Sequence, residues 1–283
     1  MAVPIYAGPL ERTWYYAYRV ICAAIFVFLI GPIFVIIPLS FNELPYFTFT
    51  EAMLSFDPAG YSTKWYKEFF TEPSWQRAVQ NSFVIAIFAT LISTTLGTLA
   101  ALGLSRSEMP LKTAFMALLI SPMIVPLIIS AAGMYFFYTR IGISSTHVGV
   151  ILAHAALGTP FVVITVTATL VGFDHSLTRA AASLGADPTR TFFKVIVPLI
   201  LPGVVSGALF AFITSFDEVV VVLFVGSVEQ RTIPWKMFSG IREEIRPTIL
   251  AVAVLLVCIS IALLTTLELL RRRSERLRGI RQS

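Results

Sequence analysis

The sequence predicts an all-α integral membrane protein with six transmembrane helices, and two observations support this prediction. The first is composition: of 283 residues, 57% are hydrophobic and only 13% are Asp, Glu, Lys or Arg, whereas globular domains average about 45–50% apolar and about 25% charged residues. The second is that the apolar residues form long uncharged runs. This composition excludes a soluble enzyme, a disordered chain and a nucleic-acid-binding protein.

Six uncharged runs are long enough to cross a bilayer as helices. A helix needs about 20 apolar residues to span a hydrocarbon core of about 30 Å, and a helix pairs all its backbone groups within one segment. The first run is too long for a signal peptide, so we expect an uncleaved helix. The predicted spans are Val20–Leu39, Ser82–Leu104, Thr113–Tyr138, Val148–Phe173, Leu199–Phe216 and Ile249–Leu267.

The basic residues are unevenly distributed between the two sides of these spans. The N-terminus, the 105–112 turn, the 174–198 loop and the C-terminal tail together carry 13 Lys and Arg, against 8 in the other three loops. Because the more basic loops face the cytoplasm, both termini are predicted to be cytoplasmic.

No constellation of catalytic or metal-binding residues is evident in the sequence. Cys22 and Cys258 lie inside apolar runs, and the three histidines lie far apart, so neither a metal site nor a catalytic site is expected. An intramembrane enzyme is therefore disfavoured. A channel or secondary transporter remains a remote alternative, because no inverted repeat with broken helices is obvious.

The 174–198 loop has the most specific local pattern in the chain, HSLTRAAASLGADPTRTFFKVIVPLILPG counted from residue 175. Asp174 or Ser176 can cap a short Ala-rich helix that contains residues 179–184. Gly185 can then take the left-handed conformation that ends a helix. These features predict a short helix followed by a tight turn.

A second helix is predicted directly after that turn. Asp187 can cap it, and Pro188 can occupy its first position, where the missing N–H costs nothing. This helix carries Phe192 and Phe193, and Pro198 follows at the start of the fifth span. A compact amphipathic helix–turn–helix of this kind suits binding by another protein.

This loop resembles the EAA loop in permease subunits of binding-protein-dependent ABC importers. The pattern of that loop is Glu-Ala-Ala, three residues, Gly, nine residues, Ile, one residue, Leu-Pro. The chain departs from it at the first position, where Arg179 replaces the acid. It matches at Ala180, Ala181, Gly185 and Pro198, with Val195 and Val197 in place of Ile and Leu.

Other strings extend the resemblance to about residues 61–270. WYKEFF ahead of NSFVIAIFATLISTTLGTLAALGLSR is similar to the opening of a permease core, and SFDEVVVVLFVGS and RTIPWKMFSGIREEIRPTI resemble the spermidine/putrescine permease branch. The resemblance implies a type I ABC importer permease fold. It also implies three parts: an N-terminal segment 1–60, a permease core 61–270 and a basic tail 271–283.

The resemblance further implies a bacterial inner-membrane location, with contacts to lipid, and several protein partners. These are two ATP-binding cassette subunits, a second related permease and a periplasmic substrate-binding protein. ATP and Mg²⁺ belong to the cassette subunits, because none of the five lysines follows a glycine and a GxxxxGK[ST] phosphate loop is therefore missing. The residues implied to bind a cassette subunit are Arg179, Ala180, Ala181, Gly185, Ala186, Asp187, Pro188, Phe192, Phe193 and Pro198.

Asp217 and Glu218 are an acidic pair at the end of the fifth span. An acid near a span is a candidate functional group, because a carboxylate at mid-bilayer costs about 2.5–3.5 kcal/mol. We expect the pair to attract a cationic solute, provided that the helix breaks here. The alternative is an interfacial pair bonded to Arg231 or Arg242.

Tyr135 and Tyr138 end the third span and are further candidates for the solute path, because aromatic faces attract amines. The alternative is an interfacial aromatic belt. The resemblance favours polyamines such as putrescine and spermidine as the solute. Another small organic solute, such as an opine or an amino acid, is the main alternative.

Gly203, Gly207 and Ala211 recur every four residues along the fifth span. Such a stripe of small residues lets two helix backbones approach closely. The sequence leaves two partners open for this stripe: another helix of the same chain, or a second permease.

Overall fold

The computed structural model describes residues 8–106, 108–174, 176–243 and 245–277, and helices dominate them. Within these ranges the only β contact is the isolated bridge between Asn42 and Tyr61, so the all-α class is confirmed. In chain order the helices are α1 Pro9–Leu39, α2 Glu51–Leu54, α3 Lys64–Thr71, α4 Pro73–Leu104, α5 Lys112–Ile124, α6 Leu127–Arg140, α7 His147–Val171, α8 Ser176–Ser183, α9 Pro188–Thr191, α10 Val197–Phe216, α11 Val220–Val225, α12 Ile233–Glu243 and α13 Thr248–Leu277.

The chain divides into two compact units. One comprises Met1–Glu72 with Gly240–Ser283, and the other comprises Pro73–Ser239. The division into 1–60, 61–270 and 271–283 stays a prediction. The end of the predicted basic tail, residues 278–283, lies outside the described residues.

Four stretches of helix are apolar and long enough to cross a membrane: α1, α4, α7 and the continuous segment Pro188–Phe216. The pair α5 and α6 gives a fifth if it counts as one span. In α13, residues Thr248–Ala262 form a shorter apolar stretch. The described residues therefore supply four or five of the six predicted spans.

The predicted span Thr113–Tyr138 is not one continuous helix. The chain forms α5 and α6 instead, bent by 103° with respect to each other. Pro126 lies at the break; it has no N–H to donate to the preceding turn, and it disfavours helical backbone in the residue before it. Val125 accordingly has an extended ψ of 134°. The uncharged run Thr113–Tyr138 therefore contains Pro126, which divides it into two helices.

In the first unit, a compact segment follows α1 and leads into α3. Trp65 of α3 is buried, and its Nε1 donates to the carbonyl oxygen of Asn42 at 2.6 Å. The Asn42 side chain in turn donates to two carbonyls of its own loop. Glu68 of α3 accepts a hydrogen bond from Thr248 at 3.0 Å, which fixes α3 against the start of α13.

In the second unit, α4, α7 and α10 pack closely through small residues. Gly97 of α4 lies so near α7 that a Cβ on it would come within 2.6 Å of the Val162 Cβ. A Cβ on Gly207 of α10 would come within 2.5 Å of the Thr165 Oγ1 and 2.8 Å of the Val162 Cα. The predicted stripe therefore packs on α7 of the same chain, and the interpretation as intrachain packing is confirmed.

A second core cluster joins α6, α7 and α11. It contains Tyr138 of α6, Val150 of α7, and the buried face of α11 formed by Val221, Val222 and Val225. One turn after Val150 in α7, His154 is buried and its Nδ1 lies 2.8 Å from the Ser215 Oγ of α10. These contacts place α11 and the end of α10 in one packed region.

Candidate functional site

The 174–198 loop begins with α8, whose start and end follow from its sequence. The Ser176 N–H donates to the Asp174 Oδ1 at 2.8 Å. Gly185 has a φ of +78°, and the Ala186 N–H donates to the carbonyl oxygen of Ala181 at 3.0 Å. This is the helix ending in which a left-handed glycine lets the following amide bond back into the last turn.

The sequence predicted a separate second helix in the loop. In the structure this helix is the beginning of the fifth span. Asp187 accepts the Arg190 N–H at 2.7 Å and Pro188 starts α9. A π-helical turn over Phe192–Ile196 then joins α9 to α10, so helix runs from Pro188 to Phe216. Pro198 has no N–H to donate to the carbonyl oxygen of Lys194. One α-helical hydrogen bond is therefore missing at this turn, where the π-helical bonding occurs.

The loop carries apolar side chains that are exposed on the surface of the chain. Leu184 at the turn is 88% exposed and Phe193 is 64% exposed. Exposed apolar groups grouped with polar ones are typical of a protein-binding surface. Of the ten residues predicted for coupling, Arg179, Ala180, Gly185, Asp187, Pro188, Phe193 and Pro198 are exposed, and Ala181, Ala186 and Phe192 are half-buried.

The fifth span ends at the predicted acidic pair. Asp217 is the residue that caps α10, with its N–H bonded to the carbonyl oxygen of Ile213, and a new helix, α11, starts at Val220. The chain therefore breaks where the β-branched run Val219–Val222 begins, as the low helix preference of such residues favours.

The break separates the two acids. Asp217 is exposed, whereas Glu218 is only 7% exposed and its Oε1 accepts the Val221 N–H at 2.9 Å. Glu218 lies beyond the end of the span, and its burial raises the pKa of its carboxyl, while the N–H groups of α11 act in the opposite direction. The Arg231 guanidinium lies over the Trp235 ring, 4.2 Å from its centroid, so within the described residues Arg231 does not pair with either acid.

The two candidate tyrosines of α6 have different surroundings. Tyr135 is partly exposed and its ring lies edge-on to that of Phe136, with centroids 5.6 Å apart. Tyr138 is 9% exposed and packs in the core beside α11. Only Tyr135 presents its ring to the surroundings.

A polar network that the sequence did not reveal lies at the start of α4 and α7. The Asn81 Nδ2 donates to the carbonyl oxygens of Glu229 and Arg231, at 2.6 and 2.9 Å. Its Oδ1 lies 3.0 Å from the His147 Nε2, and Gln230 is buried beside the other nitrogen of that ring. The network ties three segments together across about 150 residues of sequence separation, which a single sequence gives no sign of.

Replacing Asn81 with alanine is expected to destabilise the second unit by about 1–3 kcal/mol, because carbonyl and imidazole partners would lose their hydrogen bonds. Thermal unfolding of the purified protein in detergent measures the change. Thr95→Ala on the same helix is the control, since the Thr95 hydroxyl donates to the carbonyl oxygen of Leu91 within its own helix. Equal melting temperatures for the two variants would contradict the prediction.

The structure shows no metal centre in the parts of the chain that it describes, where no group of three or more His, Cys, Asp or Glu side chains could hold an ion. The two features with functional geometry are the exposed loop and the helix break. Both lie in the second unit, at opposite ends of α10.

The chain is similar in sequence to permease subunits of known transport systems. A family described as binding-protein-dependent transport system inner membrane component matches residues 93–276. The spermidine/putrescine transport system permease protein PotC of Haemophilus influenzae is 32% identical over 250 residues, covering 88% of this chain and 94% of that protein. The putrescine transport system permease protein PotI of Escherichia coli K12 is 30% identical over 238 residues, 82% of each chain.

A solved structure shows the same fold. It is a chain of a bacterial ABC transporter involved in the import of the acidic polysaccharide alginate, which superposes with a TM-score of 0.70 over 95% of this chain and 99% of that chain. The sequence identity is 14%, so this similarity concerns the fold alone.

Proposed function

Because this chain belongs to the family of binding-protein-dependent transport system inner membrane components, we propose that it forms half of the translocation path of an ABC importer for polyamines such as putrescine and spermidine. The observation that carries the proposal is the 30–32% identity, over 82–88% of the chain, to permeases named for these solutes. A member of this family is a transport subunit and not an enzyme. ATP hydrolysis is assigned to partner subunits.

In this proposal the chain has six spans and the type I importer permease fold, in a bacterial inner membrane. The bent pair of α5 and α6 is one span and α13 is the sixth. With six spans both termini lie on one side, and the excess of basic residues there favours the cytoplasm. A second related permease supplies the other half of the path, and a periplasmic binding protein delivers the solute.

The 174–198 loop is the proposed binding surface for an ATP-binding cassette subunit. Its exposed Leu184 and Phe193 provide apolar contacts, and the left-handed Gly185 fixes the angle between α8 and the next helix. Because that next helix continues into α10 without a loop, a displacement of the loop would be transmitted along the fifth span to the helix break. Residue 179 is Arg where the EAA pattern has Glu, so this chain cannot form a salt bridge through an acidic side chain at that position.

The proposed solute path is formed around the far end of α10, where the candidate residues Asp217, Glu218, Tyr135 and Tyr138 either face the solute or position the groups that do. The exposed carboxylate of Asp217 supplies the negative charge, and the exposed ring of Tyr135 supplies an aromatic face for an amine. Tyr138 contributes by packing against α11.

Asp217→Asn is expected to raise the KM for putrescine uptake about tenfold, since losing one charge–charge contact with a cationic solute costs about 1.4 kcal/mol or more. The measurement is uptake of labelled putrescine into proteoliposomes that contain the complete importer. Glu229→Gln is the matched control, because Glu229 is an exposed acid of the same unit. A KM unchanged by Asp217→Asn, or raised equally by Glu229→Gln, would remove Asp217 from the path.

The solute itself is tested with the same complete importer. We expect ATP-dependent accumulation of putrescine and spermidine, and stimulation of ATP hydrolysis by the loaded binding protein. Accumulation of an opine or an amino acid, with no accumulation of either polyamine, would favour the alternative solute class. Accumulation by liposomes that hold this chain alone, without nucleotide, would favour a channel or secondary transporter.

A further inference from the structure

The two neighbouring acids at the helix break have different environments. Glu218 is 7% exposed and its carboxylate accepts the Val221 N–H, whereas Asp217 is exposed at the end of α10. An acid whose carboxylate is turned into the protein and bonded to the backbone is poorly placed to contact a solute. The pair is therefore not two equivalent ligands.

Glu218 performs the task that a capping residue performs elsewhere. The first amides of any helix lack partners within the helix, and they are usually satisfied by Ser, Thr, Asp or Asn at the N-cap position. In α11 that position is Val219, which makes no side-chain cap. The Glu218 carboxylate supplies the missing acceptor from one residue earlier.

The rest of α11 is held on its other sides. Val221 and Val222 are buried in the core with Tyr138, and the carbonyl oxygen of Val225 accepts the Ser145 N–H at 2.8 Å. The position of α11 is thus set by core packing, by the loop before α7 and by Glu218. Glu218 directly follows the end of α10, and its bond to the Val221 N–H links the start of α11 to that end.

We propose that Glu218 is a positioning residue, which fixes the break between α10 and α11 so that the Asp217 carboxylate alone faces the solute. This inference rests on the proposed function, in which the solute is cationic. It makes a distinction that the sequence cannot make: the charge of Asp217 matters, whereas at Glu218 the hydrogen-bond acceptor matters.

The test compares three variants in the complete importer by KM and Vmax for putrescine. Glu218→Gln keeps an acceptor oxygen and should stay within about threefold of the wild-type KM, whereas Glu218→Ala should raise the KM about tenfold, as Asp217→Asn does. A Glu218→Gln variant as impaired as Glu218→Ala would overturn the proposal, because charge would then be the essential property. An unchanged KM in Glu218→Ala, with the same amount of folded importer as the wild type, would also overturn it.

A double-mutant cycle tests whether Glu218 acts through Asp217. In the Asp217→Asn background, Glu218→Ala should change the KM by less than about twofold, because residues that act through one contact are not additive. Independent, multiplying effects of about tenfold each would overturn the proposal. A mere loss of folded protein would lower Vmax and leave the KM unchanged in both backgrounds.

Hydrogen exchange without any solute separates this inference from the identity of the cargo. The amides of α11 should lose protection in Glu218→Ala and keep it in Glu218→Gln, since a free N–H exchanges faster than a bonded one. If the wild-type importer moves no polyamine but this pattern holds, the proposed solute fails and the capping role stands. Unchanged protection in Glu218→Ala would overturn the capping role whatever the solute is.

Discussion

Replacing Leu184 with aspartate is expected to lower ATP-driven uptake by the assembled importer at least about thirtyfold. Leu184 is 88% exposed at the turn of the 174–198 loop, and in the proposed complex it would be buried against the cassette subunit. An unpaired charge buried in an interface costs about 2–5 kcal/mol, and every 1.4 kcal/mol is tenfold in affinity.

Two measurements check this expectation: labelled putrescine uptake into proteoliposomes, and the amount of cassette subunit that copurifies with the permease. Both should fall together. Leu111→Asp is the matched control, because Leu111 is 74% exposed on the other turn predicted to face the cytoplasm. Equal losses for the two variants, or full activity of Leu184→Asp, would show that the loop is not the surface bound by the ATPase.

Gly207→Val is expected to destabilise the second unit by about 2–3 kcal/mol or more. A Cβ at this position would meet the Val162 backbone at 2.8 Å, and backbone cannot move aside as the end of a side chain can. Overpacking of a close helix contact typically costs about 1–3 kcal/mol. Here the two methyl groups of valine add to a clash that the Cβ alone already creates, so α7 and α10 would have to separate.

The melting temperature in detergent, together with the yield of monodisperse protein, measures this effect. Gly103→Val on α4 is the control, since a Cβ at Gly103 meets nothing within 4 Å and valine has a higher helix propensity than glycine. We expect Gly103→Val to be neutral. Equal melting temperatures for both variants would mean that α7 and α10 are not in the close contact described.

The third predicted span shows where sequence reasoning fails. A count of apolar residues from Thr113 to Tyr138 finds a span but is insensitive to backbone direction, and Pro126 turns the chain by 103° within it. Proline in an apolar run can kink a helix or break it, and Pro160 lies within the continuous α7. Packing around each proline, which a single sequence does not contain, decides between the two outcomes.

The acidic pair shows the same limit at the candidate site. The position of the acids after the fifth span and the low helix preference of the following valines predicted a break, and a break is present. Their unequal roles could not be predicted, because Asp217 and Glu218 are neighbours with the same charge. Their different burial and the bond from the Val221 N–H to Glu218 distinguish them.

By itself the sequence determined the membrane class, the all-α architecture and the helix–turn–helix of the 174–198 loop. These depend on local quantities: mean hydropathy, the length of apolar runs, and the backbone preferences of Gly185, Asp187 and Pro188. The tertiary structure decided which helix faces the glycines of α10, which acid is buried, and how Asn81, His147 and Gln230 meet. Those outcomes depend on contacts between residues distant in the chain, whose energies no local pattern encodes.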